Sequence, residues 1–362
     1  MSVYAYNPNV FANVDRADLQ LWRSLYKFIS YAVSFVDRTG TIQIPIHTET
    51  PQHLAMPEYD PNFSMTYEEC CDHKVSELIE LQDRLDIPIR IMYSGGIDSS
   101  LILISFIKRL GVDQTSRRVE VFLDQESIQE NPALWHKFIL PYFRIVDSDR
   151  YGTRFDKQGI LIGGEGNDQL FGSDIYKDVI RWGGNKILDT AWTEGLIRDY
   201  FKYKKLTQAE SDVWFEQFSR LINAAQCSIV TIADWWWYIN LTCKWASVYH
   251  RMLFYVTQPQ LVNNDYIETY FQQFFNTDHF QRWSLVNRDQ KHQGDYLSYK
   301  FHARDLIADF LNDTQYRLKI KRPSLGHITR FRYACDLIER DYNFRYQINP
   351  LDYYNPTNSF TK

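Results

Sequence analysis

Ile87-Pro88-Ile89-Arg90-Ile91-Met92-Tyr93, followed at once by Ser94-Gly95-Gly96-Ile97-Asp98-Ser99-Ser100, decides how this chain is read. The first seven residues are apolar at almost every position, the pattern of a strand buried on both faces. Two glycines then allow a tight turn with exposed amide groups. The helix expected over residues 98–110 would aim its partially positive end and its free N–H groups at the same place. Ser94, Ser99 and Ser100 add hydroxyl donors, and Asp98 adds a carboxylate able to hold Mg²⁺ beside a phosphate chain. The stretch reads as a pyrophosphate cradle. The ordinary alternative is a helix merely capped by Asp98 or Ser99 after a glycine turn. A Walker loop is excluded, because no Gly-Lys-Ser/Thr end follows.

Outward from this loop the same pattern repeats. Strands are expected at 118–124 and 159–162, a helix at 132–142, and a short apolar run at 143–146. Strand alternating with helix predicts an α/β fold with a doubly wound, mostly parallel sheet. After Gly184 the sequence turns helical and aromatic, with no strand expected up to about Ala334. The last thirty residues look irregular. Upstream, the sequence suggests a helix at 15–36, a β-type run at 41–46 and a proline-bearing boundary loop at 47–64. An amphipathic helix follows at 67–86, with Val75, Leu78, Ile79 and Leu81 on its apolar side. The segments that result are 1–84 (an extension of unassigned role), 85–185 (the nucleotide-binding α/β core), 186–335 (a helical subdomain) and 336–362 (an irregular tail).

Composition removes several function classes. Forty Lys and Arg against forty-five Asp and Glu leave a net charge of −5, which is no polycation built to grip a nucleic-acid backbone. The longest clean apolar run, Leu101-Ile102-Leu103-Ile104, falls far short of the ~20 residues of a membrane span. The amino terminus lacks the basic start and apolar stretch of a secretory signal. Five cysteines, two of them adjacent (Cys70, Cys71), match neither a disulfide framework nor a zinc site. They read as reduced thiols in a cytoplasmic protein. No His-Glu-x-x-His pattern supports a zinc hydrolase. The Trp235-Trp236-Trp237 run, with Trp245 and Tyr249 at helical spacing, reads as helix packing rather than a base-stacking platform.

A second motif, Gly163-Gly164-Glu165-Gly166-Asn167-Asp168-Gln169-Leu170-Phe171-Gly172, also follows an expected strand. It therefore belongs at the same carboxyl edge, where open α/β folds bind ligands. Two carboxylates three residues apart can divide the work, one on a metal and one on a proton or a nitrogen nucleophile. The first stretch resembles the PP-loop (S-G-G-x-D-S) of the ATP pyrophosphatase superfamily. The second is similar to the S-G-E-G-x-D-E-L-F-G-G segment of the asparagine synthetase and β-lactam synthetase family. Lys300-Phe301-His302-Ala303-Arg304 resembles that family's K-x-x-x-R helix, and Arg317-Leu318-Lys319-Ile320-Lys321-Arg322-Pro323 its R-x-K segment. Departures are Gly163 for Ser, Gln169 for the second Glu, Ser173 for the final Gly, and a degenerate block at 256–265.

The resemblance covers about residues 85–330 and implies an adenine-nucleotide α-hydrolase-like core with an α-helical C-terminal region, using ATP and Mg²⁺. It implies nucleotide binding by Ser94, Gly95, Gly96, Asp98, Ser99, Ser100, Leu123 and Gly164, and magnesium ligation by Asp98 and Asp168. Glu165 would lie at the acyl-transfer centre. Lys300 and either Lys319 or Lys321 would be the catalytic cations, stabilising charge that builds on the α-phosphate. The residues after Lys321 (Pro323, Ser324, Gly326) fit the family segment better, which favours Lys321. The implied activity is an ATP-dependent amide-forming ligase. A small-molecule carboxylate is adenylated with release of pyrophosphate, and ammonia or an amine then displaces AMP. No Cys-nucleophile glutaminase domain precedes the loop, so ammonia could also come from a separate amidotransferase. A homo-oligomer is left open. Two alternatives stand. One is a PP-loop enzyme adenylating a nucleobase or RNA carbonyl, for which the basic, aromatic stretch 316–332 leaves room. The other is a catalytically inactive family member acting as a binding protein.

Overall fold

A computed structural model describes residues 24, 37–42, 54–123, 125–147, 155–250, 264–292 and 299–318. They form two compact units that interleave along the chain. The sheet unit takes residues 66–164, 255–275 and 301–362, and the helical unit takes 1–65, 165–254 and 276–300. These units are drawn differently from the contiguous segments of the sequence reading, because each is completed by stretches far apart in sequence. The helices that bear on the site are α1 (Tyr67–Leu85), α2 (Ile97–Leu110), α3 (Asn167–Phe171) and α4 (Phe301–Leu311). Among the described residues no helix is long and apolar enough to cross a membrane.

The sheet unit is α/β, with five parallel strands in the order β3-β2-β1-β4-β5. They are β1 (Ile89–Met92), β2 (Val119–Leu123), β3 (Arg144–Asp147), β4 (Ile160–Gly163) and β5 (Phe271–Gln273). β2 and β4 are buried along their whole length, as their apolar sequences require. β5 corrects the expectation that no strand follows Gly184. Three residues carry no legible period. Their strand state comes from the edge of β4, where Leu161 N–H donates to the Tyr270 carbonyl (2.8 Å) and Phe274 N–H to the Gly163 carbonyl (2.9 Å). A charge ladder also crosses the sheet in register, Arg90 to Glu120 to Arg144. Glu120 accepts from Arg90 Nε at 3.1 Å and from Arg144, and Arg90 also donates to Asp156 at 2.8 Å.

The helices of this unit follow local rules. α1 starts at a capping box, in which the Thr66 hydroxyl accepts from Glu69 N–H while the Glu69 carboxylate accepts from Thr66 N–H. α2 is apolar almost all round and packs against α1 and α4. A helix at Val112–Arg118, not expected from the sequence, starts at left-handed Gly111, whose carbonyl receives the Thr115 hydroxyl at 2.7 Å. The helix expected at 132–142 contains a π turn at Trp135–Ile139, and Gln125–Glu130 is a further helix before it.

The helical unit is built on aromatic packing. Helix Ile232–Ile239 begins with a Thr231–Asp234 capping box, and Trp235, Trp236 and Trp237 are all fully buried in it. Trp235 packs on Trp192 and Phe215, and Trp236 on Tyr200 and Phe201. None of these three indoles offers a face to a base. The described cysteines (Cys70, Cys71, Cys227, Cys243) are free thiols, and Cys335 lies outside the described residues. Burial pushes the Cys70 thiol up to about 12 and Cys227 to about 11, so neither is a ready nucleophile. The helix expected at 15–36, Ser24 apart, and most of the run at 41–46 lie outside the described residues.

Candidate functional site

The strand order creates the site's setting. From β1 the chain moves to β2 and β3 on one side, then returns to β4 on the other side of β1. β1 and β4 therefore flank a topological switch point, the place where departing loops diverge and open α/β sheets bind ligands. Both glycine-bearing motifs leave the sheet there, one after Met92 and one after Gly163.

The first loop is fastened from below. Gly95 has φ +70°, and a Cβ there would run into the Ser127 carbonyl and lie 2.8 Å from Glu130 Cβ. The Ser99 hydroxyl accepts from Ser94 N–H (3.1 Å), and the Ser100 hydroxyl donates to the Gly95 carbonyl (3.2 Å). Both serines are buried, so they hold the loop's shape rather than offer hydroxyls at the surface; Ser94 is the exposed one. The N-cap of α2 is Gly96, with no side-chain cap. The N-cap position falls on Gly96 and not on Asp98 or Ser99. A fourteen-residue helix thus starts from a glycine N-cap behind a glycine turn, an arrangement that favours an anion. Asp98 stands half-buried in that turn. Leu123 ends β2 with its side chain in the core.

The second loop meets the first at Gly164. A Cβ on Gly164 would stand 3.0 Å from Asp98 Cβ and 3.6 Å from Ser99 N, so the glycine permits this approach. The departure at Gly163 also has a cause: a side chain there would run into the buried amide of Gln273 on β5. Glu165 begins the helical unit in a turn that leads through left-handed Gly166 (φ +99°) into α3. Asp168, on α3, pairs with Lys300 at 2.7 Å. The Lys300 side chain is 0% exposed and that of Asp168 38%. Two residues 132 positions apart, both singled out from sequence, are brought together here.

Lys300 corrects one expectation. It is not on the K-x-x-x-R helix but precedes it, in the left-handed conformation (φ +54°) that ends any helical run, and α4 starts at Phe301. Arg304 is buried on α4 and donates to the Arg317 carbonyl at 2.7 Å. Arg317 is held by Asp305 (2.5 Å) and Asp309 (2.7 Å). Lys319, Lys321 and the segment after them lie outside the described residues, as does residues 256–263 of the degenerate block.

Two supports escaped the sequence reading. Asn131, fully buried, donates to the Ser100 hydroxyl (3.1 Å) and caps the following turn by accepting from Leu134 N–H (3.2 Å). The Asn131-Pro132 pair, a helix-start signal, could have revealed the cap but not the loop contact. In the helical unit the Ser284 hydroxyl donates to the Leu170 carbonyl at the end of α3 (2.7 Å). Trp237 Nε1 reaches the same carbonyl at 3.1 Å, and Lys291 donates to Ser284 Oγ at 2.8 Å. Lys291 is buried against the Trp237 and Trp283 rings. No family model, no curated protein and no solved structure matches the chain.

Proposed function

We propose that the protein is an AMP-forming carbon–nitrogen ligase of the asparagine synthetase type, built on a doubly wound, adenine-nucleotide α-hydrolase-like core. One observation carries the reading. Two glycine-bearing loops leave neighbouring parallel strands at a switch point, with Gly164 against Asp98 beside a helix start whose N-cap is glycine. In this reading the Ser94 hydroxyl, the amides of Gly95 and Gly96 and the first turn of α2 hold the pyrophosphate of ATP, with Ser99 and Ser100 shaping the loop beneath. Asp98 and Asp168 are each assigned as magnesium ligands. Both are partly exposed carboxylates, hard oxygen donors of the kind this ion prefers. Bound magnesium would neutralise phosphate charge.

The remaining chain groups divide the chemistry. A substrate carboxylate attacks the α-phosphate, pyrophosphate departs, and ammonia or an amine displaces AMP from the acyl-adenylate. Glu165 serves the second half-reaction. Lys300, with Lys321 or Lys319, stabilises the charge of the first. The proposed setting is the cytoplasm. The test is pyrophosphate release from ATP and Mg²⁺, screened over carboxylates, amino acids, nucleotides and RNA with ammonia present. AMP and pyrophosphate with a carboxylate acceptor are expected. ADP as the main product, or AMP formed only with an RNA or nucleobase acceptor, would exclude this ligase.

A further inference from the structure

Resting on the reading of residues 94–100 as a pyrophosphate cradle, we propose that Asn131 is a positioning residue for that loop. Acting through Ser100, it holds the Gly95–Gly96 peptide with its N–H turned away from the core and toward the phosphates. Three hydrogen bonds run in one direction. Leu134 N–H can only donate, so the Asn131 side chain must offer it Oδ1 (3.2 Å), and Nδ2 is left to face Ser100. Nδ2 donates to Ser100 Oγ at 3.1 Å, and the Ser100 proton goes to the Gly95 carbonyl at 3.2 Å. Asn131 and Ser100 are both 0% exposed, so bulk water replaces neither partner. The neighbouring Tyr93 phenol is buried too but does not meet Ser100 in hydrogen-bonding geometry, which leaves Asn131 as the donor.

The consequence follows from peptide geometry. In a trans, planar peptide the C=O and N–H point in opposite directions. A Gly95 carbonyl drawn inward onto buried Ser100 therefore sends the Gly96 N–H outward. Without that hold the peptide is free to turn over, because glycine stands on both sides of it and no Cβ resists the new dihedral angles. A peptide turned over would set its carbonyl oxygen against phosphate oxygens. Ser94 cannot supply the lost donor, since its N–H is turned inward onto Ser99 Oγ at 3.1 Å. A second observation ties the same segment to the loop. The stretch just before Asn131 backs Gly95 so closely that a Cβ there would meet the Ser127 carbonyl and Glu130 Cβ.

Calorimetric titration of the full chain with Mg²⁺ and a non-hydrolysable ATP analogue, beside thermal unfolding, separates the two bonds that Asn131 makes. Asn131→Ser keeps a capping oxygen but is too short to reach Ser100, whereas Asn131→Ala loses both bonds. Asn131→Ala should lower Tm by a few degrees, and Asn131→Ser should recover most of that loss. Affinity should not recover: both variants should bind the analogue about tenfold more weakly than the wild type, as should Ser100→Ala. Combining Asn131→Ser with Ser100→Ala should weaken binding no further than Ser100→Ala alone, because both act through one carbonyl. A folded Asn131→Ser with wild-type affinity overturns the proposal and leaves the ligase reading standing, since Asn131 would then be a cap alone. Failure of both Asn131→Ser and Ser100→Ala to fold overturns it as well, because the hydrogen bonds would then serve the fold and not the loop. A wild type that binds no analogue at all overturns both readings.

Discussion

Replacing Gly164 with alanine separates the proposed site from the fold that carries it. Gly164 is not in the left-handed region, so a side chain meets no backbone penalty there. The added methyl would sit 3.0 Å from Asp98 Cβ, 3.5 Å from Ile102 Cδ1 and 3.6 Å from Ser99 N. Only the first contact is tight, and a shift of a few tenths of an ångström relieves it. Loss of unfolded-chain freedom on Gly→Ala contributes about 0.4–1 kcal/mol in favour of the variant, which offsets a comparable strain. Net stability should therefore stay within about 1 kcal/mol of the wild type, a change in Tm of a few degrees. Binding should not be spared. The methyl narrows the approach between the loops and presses on Asp98 beside the first turn of α2, where the phosphates would lie. A loss of tenfold or more in affinity, about 1.4 kcal/mol, is expected. Thermal unfolding followed by circular dichroism, beside calorimetric titration with Mg²⁺ and a non-hydrolysable ATP analogue, measures both quantities. Normal folding with undiminished nucleotide affinity would refute the placement of the site between these loops.

Gly95→Ala should behave differently: φ +70° alone costs about 1–2 kcal/mol, and the clash with Ser127 adds to it, so denaturant unfolding should show a loss above ~2 kcal/mol. Asp168→Asn should destabilise more than Lys300→Met, by about 3 kcal/mol, because it removes a countercharge from a fully buried ammonium, whereas the lysine variant bares a part-exposed carboxylate. The double variant should recover part of that loss, and a double-mutant cycle without coupling would count against the pair. Glu120→Gln should cost about 2–3 kcal/mol in chemical unfolding, since it removes the charge facing buried Arg90, which keeps only Asp156, while the exposed Arg144 adds little. Burial pushes the Lys291 ammonium well below its ordinary 10.5, although the two indole faces favour the charged form. The unfolded chain then binds a proton that the folded chain has released, so stability rises with pH below about 10.5 and falls as pH is lowered. Urea unfolding from about pH 7.5 to about pH 10 should show the wild type gaining on Lys291→Met, and a flat difference would contradict the burial argument.

The sequence by itself determined the two loops and the strands before them. A parallel strand covered on both faces is an apolar run, and a glycine turn into a helix is written in adjacent residues, so β1, β2, β4 and α2 were legible locally. The Trp235–Trp237 run was legible as packing for the same reason. What only the tertiary structure decided depends on partners far along the chain. The neighbouring of β1 and β4, which turns two motifs into the walls of one switch point, is a property of strand order. β5 is a strand only because the edge of β4 receives it. Asn131 steadies Ser100 across thirty-one residues, and a side chain at position 163 would meet the Gln273 amide. Lys300 looked like the first residue of a helix, and its spacing to Arg304 supported that. The closed fold instead holds it in a left-handed turn against Asp168, because a buried ammonium must find its countercharge wherever the chain has brought one.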